Sequence, residues 1–134
     1  INYRKADITP RQRGMLAAAW LVATIEAASR AGVSRFTAFE LSGPRGLTDG
    51  DLRFPVFDVV RAICAATAVR CTRTSDPAVA ALTVEIGRIL RIFTVNRMAR
   101  AVEVLVPGAE RAVDIAPYSV KAIDVDPRTL ERTA

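Results

Sequence analysis

The sequence predicts an α+β chain in two parts: a helix–strand–helix segment over residues 1–68, and a small antiparallel β-sandwich over residues 69–134. Three observations carry this. Apolar residues recur at three- and four-residue steps on either side of one β-rich run, the order of an α/β segment. The texture changes near Val69, where helical spacing gives way to short alternating runs. Turn residues punctuate those runs at regular intervals, the pattern of a small sandwich.

The first element is expected to start at Thr9-Pro10-Arg11-Gln12. Thr9 can cap, Pro10 suits the first helical position, and Gln12 completes a capping box. The helix GMLAAAWLVATIEAASRA follows, with Leu16, Ala19, Trp20, Ala23 and Ala27 on one apolar face. Its many alanines allow a neighbouring sheet to approach closely, and Gly32 supplies the stop. Residues 33–41 (VSRFTAFEL) then predict a strand, with Phe36, Ala38 and Glu40 on one face and Thr37, Phe39 and Leu41 on the other. The loop SGPRGLTDGD comes next, with three glycines and a proline. In FPVFDVVRAICAATA, Val56, Val59, Val60, Ile63 and Cys64 have helical spacing.

The β-rich runs are VRCTRT, AVAALTVEIG, RILRIFTVN, RAVEVLVP, RAVDIAP and YSVKAIDV. Asp76-Pro77, Gly87, Asn96, Pro107-Gly108 and Pro117 separate them, and Asn96 reads as a hairpin-turn residue. In the fourth run Val102, Val104 and Val106 alternate with Glu103 and Leu105.

Composition narrows the function. The net charge is +5, almost entirely from arginine, with Lys5 and Lys121 the only lysines. The arginines are scattered singly, without the clustered basic face and aromatics of a nucleic-acid binder. There is no apolar run of 18 residues, so no membrane span is expected. The first residues lack a signal-peptide core, which points to the cytoplasm. Ile at position 1 reads as a chain that has been cut or excerpted. Cys64 and Cys71 lack a CxxC spacing and are expected to be small buried hydrophobes. The absence of histidine removes Ser-His-Asp and Cys-His triads and His-based metal sites from these residues. Neither metal nor cofactor is expected, and the chemistry falls to Glu, Asp, Arg, Lys, Tyr, Ser or the backbone.

A strand ending TAFELSGPRGL, the FPVFDVVRAI helix and the β-rich tail together resemble the end of a glycoside-hydrolase-like TIM-barrel protein with its C-terminal β-sandwich. IFTVN followed by VEVLVPG is similar to the strand–Asn–turn–strand segment of such sandwiches, and IAPYSVKAIDV to their closing strand. The family resembled is the D-apionate lactonase group with its TIM-barrel relatives, over most of residues 9–126. The resemblance implies the last helix–strand–helix of a (β/α)8 barrel. The remainder of the barrel would come from a missing N-terminal part or another chain, since a barrel needs eight strands. It also implies a carbohydrate or sugar-acid substrate.

Barrel active sites lie at the C-terminal ends of strands. Glu40 and the SGPRGL loop occupy that place, with Glu40 and Ala38 expected to face the barrel interior. Glu40 is the candidate catalytic carboxylate; the bland alternative is a rim charge paired with Arg45. Arg45 and Ser42 are the substrate-binding candidates, Arg45 as a fork for a sugar-acid carboxylate or else merely solvated. Asp49 and Asp51 read as turn and cap residues, and Trp20 as core rather than a sugar platform. SGPRG is not a P-loop, and no GxGxxG occurs.

The expected function is the C-terminal portion of a carbohydrate-active hydrolase, a sugar-acid lactonase or a glycoside hydrolase, active only within a larger protein and with a structural β-part. The alternative is a stand-alone, non-catalytic interaction or carbohydrate-binding module. Residues 69–134 hold only Phe93 and Tyr118 as aromatics, which argues against sugar binding there. A strand without partners should also leave apolar surface open around Trp20, Phe36 and Phe39.

Overall fold

The computed structural model describes residues 10–131. The Thr9 cap and the Gln12 side chain lie outside what it describes. Pro10–Arg13 form a 3₁₀ turn rather than the first turn of the helix. Gly14, extended at φ −107° and ψ −173°, separates that turn from helix α1, Met15–Arg30. The helix ends as its glycine predicts. Gly32 adopts φ 75°, its N–H donates to Ser29 O, and the Val33 N–H donates to Ala28 O. This is the paired closure of a Schellman motif, which needs a residue tolerant of the left-handed region.

Three short strands follow: β1 Glu40–Ser42, β2 Gly46–Asp49 and β3 Leu52–Arg53. Helix α2, Pro55–Ala65, starts with proline in its first turn after an extended Phe54. The strand expected over residues 33–41 is therefore paired only at its end. Among the described residues no strand pairs with 33–39. A parallel-type strand is defined by its neighbours' backbones, so without them the run stays extended and unladdered.

All six β-rich runs become strands: β4 Ala68–Thr72, β5 Val79–Ile86, β6 Ile89–Asn96, β7 Val102–Val104, β8 Val113–Ile115 and β9 Val120–Val125. A short helix α3, Pro127–Glu131, closes the described chain. Strands β4-β5-β6-β9 form one antiparallel sheet in that order, and β7-β8 form a separate two-stranded ribbon. The register pairs Leu82 with Phe93 and Ala80 with Val95 on one face, and Thr83 with Ile92 and Ala81 with Thr94 on the other. The period of two thus splits each strand between two apolar environments.

On the inner face, Leu82, Val84, Phe93, Val95 and Val120 join Ala18, Leu21 and Val22 of α1 and Val56, Val59 and Ala62 of α2 in one buried cluster. The helical and sheet segments therefore share a core. On the outer face Ile92 and Val125 pack with Val106, flanked by Val104, Ile123 and Leu130. The ribbon supplies part of that cover.

The join between sheet and ribbon is polar. Asn96, at the end of β6, is fully buried. Its Nδ2 donates to the carbonyls of Arg100 at 2.7 Å and of Ile115 and Ala116 at 3.1 Å, and its Oδ1 accepts from Met98 N–H at 2.8 Å. Two protons serve three carbonyls, so one bond is shared. The facing loop carries Tyr118 at φ 48°, an unusual conformation for a tyrosine, tied by its N–H to Met98 O.

Asn96→Ala would leave buried carbonyls and an N–H without partners, and should cost about 3 kcal/mol in urea unfolding. Asn96→Asp keeps the shape but sets a carboxylate against carbonyl oxygens. Burial then raises that carboxyl's pKa in the folded state. The variant's stability should fall as pH rises above about 3.9, the value in unfolded chains. A pH-independent deficit would contradict this account.

Arg91 and Asp124 pair across β6 and β9, Nε–Oδ1 at 2.7 Å and Nη2–Oδ2 at 2.8 Å. The hydrogen bond from Arg91 holds the Asp124 carboxyl below its usual range, and the same bond raises Arg91. A depressed carboxyl stabilises the fold above its unfolded pKa, and the gain is lost as pH falls through the folded value. The pair is partly exposed, so Asp124→Asn should cost no more than about 1 kcal/mol at pH 7. The difference from wild type should shrink as pH is lowered below about 3.9, the value in unfolded chains, in paired urea titrations.

Candidate active site

β1 leaves the extended run at Glu40, and the chain turns back within Gly43, Pro44 and Arg45 to lay β2 parallel to β1. Parallel neighbours usually need a crossover of a dozen residues or more. Here the turn is closed by Gly43 N–H to Thr48 O at 2.8 Å and Gly46 N–H to Gly43 O at 2.9 Å. Gly43 takes φ 102°, a region that favours glycine. The register places Glu40 opposite Gly46 and Ser42 opposite Thr48.

The turn brings Arg45 to Glu40, and Ser42 lies on the same short strand as Glu40. Arg45 Nη2 lies 3.3 Å from Glu40 Oε1, with the Glu40 side chain 57% and the Arg45 side chain 31% exposed. Glu40 thus has the partner foreseen for a strand-end charge, and its carboxylate stays open to solvent. Ser42 is exposed on the same strand. A pair this wet adds little stability.

The rest of the loop is clipped to the helices. Leu47 and Phe54 are buried in the core shared by α1 and α2. Arg13 Nη2 reaches Asp49 Oδ2 at 3.4 Å, and its guanidinium stands 5.7 Å from the Phe54 ring centre. Arg53 sits 4.7 Å over Phe57. Asp49 is therefore an ion-pair partner as well as a turn residue, and β2–β3 turn at Gly50, φ 59°. Sequence spacing could not have given the Arg13–Asp49 contact, which joins residues 36 positions apart.

Beside the loop a groove of about 420 Å³ opens between α1, α2 and residues 33–39, lined mainly by Leu21, Ile25, Phe36, Phe39, Val60 and Ile63. Phe39 meets Trp20 edge-on at 6.1 Å, so this face of the run does turn to the helices. Leu41, expected beside it, is instead 76% exposed. The run has already entered the β1–β2 turn there and left the helices behind. Trp20, expected in the core, is 40% exposed, and Phe36 is 45% exposed, so the foreseen apolar surface is present. Cys64, expected to be buried, is exposed at the rim of the groove; the Cys71 side chain lies outside the described residues. Among the described residues no group of three His, Cys, Asp or Glu side chains could hold a metal ion, and no helix is long and apolar enough to cross a membrane.

No curated protein and no solved structure matches the chain. A family model described as the TIM barrel domain of D-apionate lactonase matches residues 2–68, half of the chain. The match takes in α1, the unpaired run, the glycine-rich turn and α2, and stops where the antiparallel sheet begins. The chain belongs to the D-apionate lactonase TIM barrel domain family.

Proposed function

We propose that these residues form the C-terminal portion of a sugar-acid lactonase, with α1, residues 33–42 and α2 as the last helix–strand–helix of its barrel. Strands β4 to β9 act as a structural cover on that barrel. The observation that carries the reading is the family match over the stretch in which Glu40 opens the short strand β1, where the extended run 33–39 gives way to a glycine-rich turn. Barrel enzymes place their chemistry at that position. The unpaired run 33–39 and the apolar groove beside it support a barrel completed by polypeptide outside these residues.

In this reading the Glu40 carboxylate accepts a proton from water as the water oxygen attacks the lactone carbonyl. The ring C–O bond then breaks, and the leaving alkoxide takes the proton back from Glu40. The products are a free hydroxyl and a carboxylic acid, which releases the second proton of the water to solvent and becomes a carboxylate. Arg45 offers a guanidinium to the oxyanion or to substrate oxygens, and the Ser42 hydroxyl can bond a sugar hydroxyl. Glycoside cleavage would need a second carboxylate at a set separation. The family model matched is that of a lactonase, which favours the lactone. The β-part offers little to a carbohydrate, since Phe93 is buried and Tyr118 alone of its aromatics is exposed.

The test is acid release from the lactone of D-apionate, followed with a pH indicator in the protein that carries the complete barrel. Glu40→Gln keeps shape and removes charge. It should lower turnover by about two to four powers of ten, with the melting temperature unchanged. Wild-type turnover in Glu40→Gln, or a wild-type protein that does not open the lactone, overturns the reading.

A further inference from the structure

The three loop glycines nearest the candidate site differ in what they require. Gly43 and Gly50 take φ 102° and 59°, and a Cβ on either would meet nothing within 4 Å. They are there for backbone conformation. Gly46 is the reverse case. Its φ is outside the left-handed region, and a Cβ would stand 2.8 Å from both Ser42 C and Ser42 N and 2.9 Å from Ser42 Cα. All three are backbone atoms, which cannot swing aside as a side-chain tip can. Gly46 is also buried, while β1 is exposed along its length.

We propose that Gly46 is a positioning residue of the candidate site: its missing Cβ lets β2 lie against β1, and this sets Glu40, Ser42 and Arg45 in their mutual geometry. The inference rests on the roles given above to Glu40 and Arg45. Gly46 is the register partner of Glu40 and the chain neighbour of Arg45, and its crowded contact is the backbone of Ser42. One close approach therefore touches all three candidates. Any side chain at position 46 has to push β1 off β2, and the movement falls on the site because β1 is the strand without a buried anchor. β2 is held by buried Leu47 and by the Phe54 N–H donating to Leu47 O.

The experiment compares Gly46→Ala, Gly50→Ala and Glu40→Gln in the protein with the complete barrel, measuring kcat, KM and melting temperature with the lactone of D-apionate. Gly50→Ala strains the adjacent turn without touching β1. It should lower the melting temperature and keep wild-type kcat/KM. Gly46→Ala should lower kcat/KM about a hundredfold, the cost of a displacement on the order of 1 Å, through both kcat and KM, at a melting temperature no lower than that of Gly50→Ala. If Gly46→Ala does not accumulate as folded protein, one glycine inserted between Pro44 and Arg45 decides, since it shifts β1 against β2 without adding a Cβ; wild-type kcat/KM there overturns the proposal. Wild-type kcat/KM in Gly46→Ala, or an equal loss in Gly50→Ala, also overturns it. Glu40→Gln separates the two levels. If it is impaired while Gly46→Ala is normal, the positioning role alone fails. If Glu40→Gln is itself normal, the reading of the site fails.

Discussion

The contact between α1 and the inner face of the four-stranded sheet is the constraint on which the rest of the structure depends. A sheet with apolar side chains on both faces needs two covers. Here one cover is helical, chiefly α1, and the other is shared by the narrow ribbon, Val106 and Leu130. Ala18 and Ala19 keep the helix surface low where Leu82, Phe93 and Val95 join Leu21 and Val22 in one buried cluster. Fully burying a side chain such as Leu82 is worth about 1.5–3 kcal/mol, and several do so at this one seam. The same helix packs on α2, and the loop that presents Glu40 hangs between them by Leu47 and Phe54. The position of the candidate site is thus set by the packing that holds the sheet.

The outer face works by a different principle. Its apolar cluster is small, and the ribbon is fixed by the four hydrogen bonds of Asn96. A buried amide with all its partners specifies geometry more sharply than a few methyl contacts, because any shift leaves a polar group unpaired. This explains how a two-stranded ribbon, marginal alone, keeps a defined place.

Local signals were legible in the sequence and long-range ones were not. Gly32 fixed its helix end because φ preference is a property of the residue itself. The six β-rich runs became six strands because alternation between two apolar faces is written into each run. Thr9-Pro10 misled as a start: Gly14 has weak helical preference, and the chain breaks there. Asn96 was read as a turn residue, since a buried amide and an exposed one look alike in a string of letters. Glu40 with Arg45 was visible as a possible pair because they lie only five positions apart. Arg13 with Asp49 was invisible, because only the folded core brings the 3₁₀ turn ahead of α1 to that loop.

Residues 33–39 show how two tolerable features become informative together. An extended run without a ladder is acceptable at a surface, where water can satisfy its N–H and C=O groups. A half-exposed Trp20 or Phe36 is equally ordinary when it stands alone. On this chain the unladdered run forms one wall of the apolar groove, and Phe36 and Phe39 on that run line it together with the helices. Backbone without a ladder and apolar surface without a cover lie side by side, and one added layer of parallel strands would satisfy both. A loop that merely crosses the surface has no reason to combine them. That coincidence is the physical content behind the barrel reading, and it holds whatever role Glu40 plays.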